Sequence, residues 1–583
     1  MLPETRHCLN CKTEFLIAQE DFAFYEKMKV PPPTWCPDCR FQRRLSWRNE
    51  RGFFHNTCKK CSKKILSVYS PNSDIVVYCR PCWWSDDWDA MDYGVDFDPS
   101  RPFFEQMQDL LHRVPLPDLF GLYTTLENSE YTNMVGYLKN CYFLSMADYD
   151  EDCSYGSSVY HCKDSLDSLM LYESELCYED VNCYTCYKTL FSIDCDHCTN
   201  VIFSKNCSNC SDCIGCVNLK NKRFCIFNVQ YSEREYRNRA GQYMPTSRIA
   251  ITAGKRAAEA FWKDFPTKYI HEQHTEQVSG DYIYNSKNTR NSFIVQEMEQ
   301  SRYCAHALPG KAVDVYDNTH FGIDAQLLYE NLQCAFQVSR VRFSWFAIID
   351  VMNVEYGIFN IGTKDCFGSV GIKKKQYCIL NKQYGKEEYE SLRGKIISQM
   401  NDMPYKDSRG VVYRYGEFFP CDMSPFAYNV SSAQEFFPLE ENSVVSKGFT
   451  WDKPEKGSYL ITLPCEDIPD SASEIPAEIL NHVIECEHKG SCLERCSGAF
   501  KILARDLKFY HGMNLPLPSL CPNCRHYQRV IKRNPHTLSH RQCMCENSNH
   551  NHAGRCANEF DTTYSVDRPE IVYCEECYQA EVM

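Results

Sequence analysis

This sequence has no stretch long and apolar enough to cross a bilayer. FSWFAIIDV (Phe343–Val351) is short and carries Asp350, where a spanning helix needs ~20 apolar residues. The opening residues MLPETRHCLNC lack the apolar segment of a secretory signal. There is no Walker loop, no GxSxG and no HExxH. Basic residues are outnumbered, 63 against 77 acidic, and the net charge of −14 argues against a general nucleic-acid coat protein. These absences predict a cytoplasmic protein that does not engage membranes.

Cysteine, by contrast, is abundant: 37 in 583 residues, an odd number, many of them in CxxC pairs. That usage fits a reducing compartment better than a disulfide framework. With 43% hydrophobic residues the chain can build a large core, and its length predicts several domains.

The first 98 residues hold four CxxC pairs: Cys8 and Cys11, Cys36 and Cys39, Cys58 and Cys61, Cys79 and Cys82. Two thiolates three positions apart reach one tetrahedral ion and a second pair closes it, so two zinc ribbons are expected. Residues 486–583 repeat the pattern. An offset of 485 carries Cys11 to Cys496, Cys36 to Cys521, Cys39 to Cys524, Arg40 to Arg525 and Cys58 to Cys543. A ten-residue insertion then shifts the offset to 495, which carries Cys61, Cys79 and Cys82 to Cys556, Cys574 and Cys577. Cys8 falls on Leu493, so its role passes to Cys492, the chosen ligand, or to Cys486. The insertion CMCENSNHNHAGRC adds Cys545 as an alternative ligand, with His550 and His552 read as solvated loop residues. The expected cofactor is about four structural zinc ions, because four cysteines leave no open coordination position.

Arg40, Arg44, Arg48 and Arg51 fall on one face if a helix runs on from the second knuckle. Such a stripe could meet nucleic-acid phosphates. The competing reading is a solvated face paired with the acidic run Asp86–Asp98.

The middle of the chain repeats every six residues. NCYTCY, KTLFSI, DCDHCT, NVIFSK, NCSNCS and DCIGCV carry Asn or Asp mostly at position one, and Cys, Thr or Val at position two. Cys or Ser fills position five. A six-residue period is a β-solenoid signature, with Asn and Asp at the corners and small side chains facing inward. Cys183, Cys195, Cys207 and Cys213 are then packed thiols rather than ligands. Outward tyrosines Tyr142, Tyr160, Tyr172, Tyr178 and Tyr184 are expected along one face. With an offset of 153, Asp212–Tyr236 aligns without gaps to Asp365–Tyr389, and 13 of 25 positions are identical. The expected fold is therefore mostly β: a duplicated parallel β-solenoid flanked at both ends by duplicated zinc-ribbon pairs. A few helices connect the parts. The expected boundaries are 1–98, ribbon pair; 99–126, connector helix; 127–230, first solenoid half; 231–275, helical insert; 276–383, second half; 384–402, helix; 403–485, aromatic and Pro-rich connector; 486–583, ribbon pair.

The strings PPPTWCPDCRFQRRLSWRNER, VVYCRPCWWSDDWDAMDYG, SPFAYN with AQEFFPL, and RPEIVYCEECYQAEV resemble a family of multi-zinc-ribbon, Cys/Tyr-rich proteins found in small uncultured bacteria. The resemblance spans essentially the whole chain. It implies the architecture and implies nothing about a reaction or a partner.

Three functions compete. The favoured one is a non-enzymatic scaffold for a protein partner. A nucleic-acid-binding protein using the ribbon arginines is the second. The third is an acyltransferase of the hexapeptide-solenoid kind, with His161 or His197 as base, although neither has a neighbouring nucleophile pattern in the sequence.

Overall fold

The computed structural model describes residues 2–307, 310–453, 459–493 and 495–582. Residues 454–458 of the expected aromatic connector lie outside it. Strands dominate, and the helices that matter here are α1 (Pro37–Leu45), α2 (Phe103–Arg113), α3 (Glu233–Ala240), α4 (Arg248–Trp262), α5 (Lys386–Asp402), α6 (Pro522–Val530) and α7 (Glu575–Val582).

Two stacks of parallel strands form the centre. In the first, register advances by 12 residues: Ala147 pairs with Val159, Val159 with Leu171, and Leu171 with Cys183. Backbone φ is positive at every third residue from Asn128 to Phe227, with Gly215 among them. Each coil is thus four three-residue sides with a left-handed corner at each turn. The six-residue period is half a coil, with two corners per hexad. Asn and Asp tolerate this conformation, and side chains bond corner to corner, as in Asn128 with Asn140 and Asn206 with Asn218, at 2.9 and 2.8 Å.

In the second stack the middle coils are longer. Ala312 pairs with Ala325 and Ala325 with Val338, an advance of 13, and the interior fills with Val315, Leu328 and Val341. Gly368 holds a left-handed corner at φ +60. A Cβ there would lie 2.7 Å from the Phe103 ring, so α2 docks closely on this second stack. Of the five outward tyrosines, Tyr160, Tyr172 and Tyr184 form one stacked column at 5.4 and 4.6 Å. Tyr142 and Tyr178 share the opposite side, because six residues are half a coil and six-residue counting merges the two sides. Tyr142 meets Tyr155 edge-on, and Tyr178 meets Tyr510.

The ladder cysteines are buried and unbridged. Their sulfurs lie within reach of the carbonyl two residues back and another nine ahead, as for Cys183 with Val181 and Ser192 at 3.6 and 3.7 Å. Ser165, Ser174 and Ser192 hydroxyls donate to the same i−2 carbonyl. Thiol and hydroxyl serve alike as small inward donors. Burial pushes the Cys141 thiol up to about 12, which keeps it protonated.

Candidate metal centres

Each ribbon begins as a two-stranded hairpin whose turn carries the first cysteines. Glu4–His7 pairs with Glu14–Ile17, and Phe54–Thr57 pairs with Lys64–Ser67. The second cysteine pair straddles a helix start. Cys36 caps α1, Cys521 caps α6, and Cys574 immediately precedes α7. Helix N-termini favour negative charge, so thiolates sit well there.

Four sulfur groups come together, each with its ligand atoms within 4.8 Å of one another: Cys8, Cys11, Cys36 and Cys39; Cys58, Cys61, Cys79 and Cys82; Cys486, Cys496, Cys521 and Cys524; and Cys543, Cys556, Cys574 and Cys577. Cys11 lies 3.7 Å from Cys36, and Cys61 lies 3.7 Å from Cys79. A tetrahedron with ~2.3 Å metal–sulfur bonds has edges of about 3.8 Å, so the groups have the size of a tetrathiolate metal site. Backbone N–H groups support the first sulfur of each. Cys79 N donates to Cys58 Sγ at 3.2 Å, Cys521 N to Cys486 at 3.2 Å, and Cys574 N to Cys543 at 3.3 Å. Burial pushes the Cys58 thiol up, while N–H groups at Cys61, Cys79 and Lys60 hold it at about 7. Such groups can bind a metal ion and, with four protein ligands, leave no position for a substrate.

The third group differs from the expected set. Cys486, not Cys492, stands where Cys8 stands. Cys486 follows the strand Ile484–Glu485, which pairs with Ala499–Phe500, and its N–H donates to Gly498 O as that of Cys8 donates to Thr13 O. The knuckle is seven residues longer here, which hides the match from a fixed offset. Cys492 remains close, with its sulfur 3.7 Å from that of Cys524.

The arginine stripe is not a nucleic-acid surface. Helix α1 ends at Leu45, so Arg48 and Arg51 lie beyond it, and Arg40, Arg44 and Arg48 are 1%, 0% and 1% exposed. Arg40 and Arg44 donate to Asp317 at 2.9 and 3.2 Å. Arg43 pairs with Glu330 and Glu417. Arg48 binds Glu50 and Gln333, and half-buried Arg51 lies over Phe143 at 4.7 Å. The acidic run 86–98 is not their partner either, since Asp89 and Asp96 pair with Lys375 and Lys382.

The C-terminal copy repeats the clasp on the other stack. Arg525 and Arg529 donate to Asp167 at 3.0 and 3.1 Å. Arg525 lies over Tyr155 at 4.9 Å, as Arg40 lies over Tyr303 at 5.3 Å. Tyr510 meets Tyr178 edge-on, as Tyr25 meets Tyr329. The second ribbons are equally paired. Val77–Tyr78 runs parallel to Leu116–Pro117, which leads into the first stack, and Val572–Tyr573 runs parallel to Thr267–Lys268, which leads into the second. Trp83 then packs on Phe359 of the second stack, and Tyr578 bonds Asn206 of the first. Each ribbon pair bridges both stacks.

A cleft of about 1090 Å³ opens between the stacks, lined by residues that include Tyr184, His197, His271, Tyr284, Glu575 and Tyr578. His197 is more than half exposed and pairs with its neighbour Asp196 at 2.7 Å. His161 lies elsewhere, stacked on Tyr149. His271, which the sequence did not single out, lies 2.8 Å from Asp281 and 3.9 Å from Asp194. Burial lowers its pKa, but the two carboxylates more than offset this and raise it.

No family matches this sequence, and no curated protein matches it. One solved structure does: a protein assigned as an acetyltransferase from Desulfovibrio desulfuricans G20, at 10% identity and a TM-score of 0.10, over 51% of this chain and 87% of that one. Likeness at that level carries no argument about fold or activity. No helix among the described residues is long and apolar enough to cross a membrane.

Proposed function

We propose that the chain is a non-enzymatic, zinc-braced scaffold for a protein partner. Its two stacks are the halves of a duplicated parallel β-solenoid, held against one another by ribbon pairs with structural zinc. The carrying observation is the crossed clasp: each ribbon pair spends its arginines on buried aspartates of the stack it grips. That leaves the ribbons a bracing role and removes their arginines from any outside ligand. Support for a protein partner comes from an exposed aromatic column on the first stack, where Tyr137 stacks on Tyr149 at 4.4 Å and Tyr149 on His161 at 4.8 Å, the two tyrosines being 46% and 52% exposed. Capture of the full chain from its native cell tests this. One protein should co-purify at fixed stoichiometry, survive nuclease treatment, and be lost on Tyr137→Ala with Tyr149→Ala. Bound material that nuclease removes would contradict the proposal.

An acyltransferase is the second reading, favoured by one observation: the cleft contains His197. Incubation with acetyl-coenzyme A and amine acceptors separates the two. The scaffold should release no free thiol beyond the uncatalysed rate, and turnover lost on His197→Ala would favour the enzyme.

A further inference from the structure

The ten-residue insertion that distinguishes the C-terminal ribbon folds back over the fourth sulfur group. It brings Cys545, His550 and His552 to the outer side of Cys577, and the four ligand atoms lie within 4.8 Å of one another. His550 Nδ1 lies 3.1 Å from Cys545 Sγ, and His552 Nε2 lies 3.4 Å from Cys577 Sγ. Thiol-to-imidazole hydrogen bonds would explain each pair separately. They do not explain why all four atoms converge.

The opposite ring nitrogens point to a metal. A ligating histidine usually anchors its other nitrogen on a carboxylate or a backbone carbonyl, which fixes the tautomer and presents a lone pair to the ion. His550 Nε2 lies 3.4 Å from the Glu581 carboxylate, and His552 Nδ1 donates to Gly554 O at 2.9 Å. The two rings are thus held through opposite nitrogens, which leaves His550 Nδ1 and His552 Nε2, the nitrogens beside the sulfurs, to take an ion. Backbone bonds shape the loop to suit: Cys556 N donates to Cys545 O, and His550 N to Asn547 O. In a tetrahedral site the sulfur–nitrogen edge is about 3.6 Å, so the pairs need to open by only a few tenths of an ångström.

We propose that the C-terminal ribbon holds two metal ions, with Cys577 as a shared thiolate. One ion takes Cys543, Cys556, Cys574 and Cys577, and the other takes Cys545, His550, His552 and Cys577. Charge favours the pair. One divalent ion on four thiolates leaves −2 in a buried site, whereas two ions on five thiolates and two neutral imidazoles leave −1. The N-terminal ribbon passes from Cys58 to Cys61 with only Lys59 and Lys60 between, so it offers no second site. Cys577 also places its neighbour Tyr578 in the cleft wall.

The proposal rests on the ribbons binding metal, and the test separates the two. Native mass spectrometry of the full chain, purified with zinc, should count five ions, and His550→Ala with His552→Ala should count four. The double variant should keep the wild-type circular dichroism, because those histidines support no strand of either stack. Cys577→Ser should release two ions, while Cys82→Ser releases one. Four ions in both wild type and the double variant would overturn the second ion alone. Two or fewer in the wild type would overturn the ribbon reading as well. Loss of a single ion from Cys577→Ser would overturn the sharing.

Discussion

Asp317 and Asp167 each face two arginine side chains in a buried contact between a ribbon helix and a stack corner. Charges buried in this way are costly unless paired. Asp317→Ala therefore strands Arg40 and Arg44 and should destabilise the chain by about 3–5 kcal/mol in urea unfolding; a change below about 1 kcal/mol would mean the clasp is solvated. The ladder cysteines behave differently, because their neighbours ask only for a small inward side chain. Cys195→Val should leave the metal content unchanged and cost about 1 kcal/mol in packing. Loss of an ion on that change would show that the ladder itself binds metal.

Between elements, three histidines meet where the ribbon pairs and the second stack converge. His306 stacks with His320 at 4.6 Å and lies 5.1 Å from His536. His536 also stacks on Phe293, and neither of its ring nitrogens has a hydrogen-bond partner among the described residues. Burial, with Arg48 and Arg533 nearby, presses His306 and His320 well below 6.5, and burial with His306 and Arg533 does so for His536. The unfolded chain therefore binds more protons than the folded one between those values and 6.5. Stability is full above pH ~6.5 and should fall as pH drops below it, by up to ~1.4 kcal/mol per pH unit per histidine. His536→Phe keeps the ring stack and removes an unpaired polar group, so it should be neutral or stabilising at pH 7.5. It should also flatten the fall of the urea midpoint between pH 6.5 and 5.5. An equally steep fall in the variant would assign the acid sensitivity to other groups.

The same scale explains what could be read in the sequence. Cys36 and Cys39 lie three residues apart, so the four-sulfur groups announce themselves locally. Arg40 and Asp317 are 277 residues apart, and nothing local distinguishes a buried arginine face from a solvated one. The hexad was visible because equivalent sides carry equivalent residues, but the chain closes only after four sides, which residue types do not state. Cys486 stands in the sequence only as the alternative to Cys492, because its longer knuckle breaks the fixed offset. His550 and His552 sat in a polar loop whose composition reads as solvated, and only the fold brings them to Cys577.

Across the whole molecule, the order in sequence and the order of gripping are crossed. The N-terminal pair clasps the second stack through α1, and the C-terminal pair clasps the first through α6. Metal at either end should therefore brace a stack remote in sequence, adding on the order of 10 kcal/mol of coupled folding energy at each site. The most direct measurement is hydrogen exchange by mass spectrometry on Cys36→Ser and Cys521→Ser. Crossed bracing predicts that Cys36→Ser speeds exchange in peptides covering 303–330 and spares 155–178, while Cys521→Ser does the reverse. If Cys36→Ser opened 155–178 instead, or if neither variant touched the stacks, the ribbons would not be their braces.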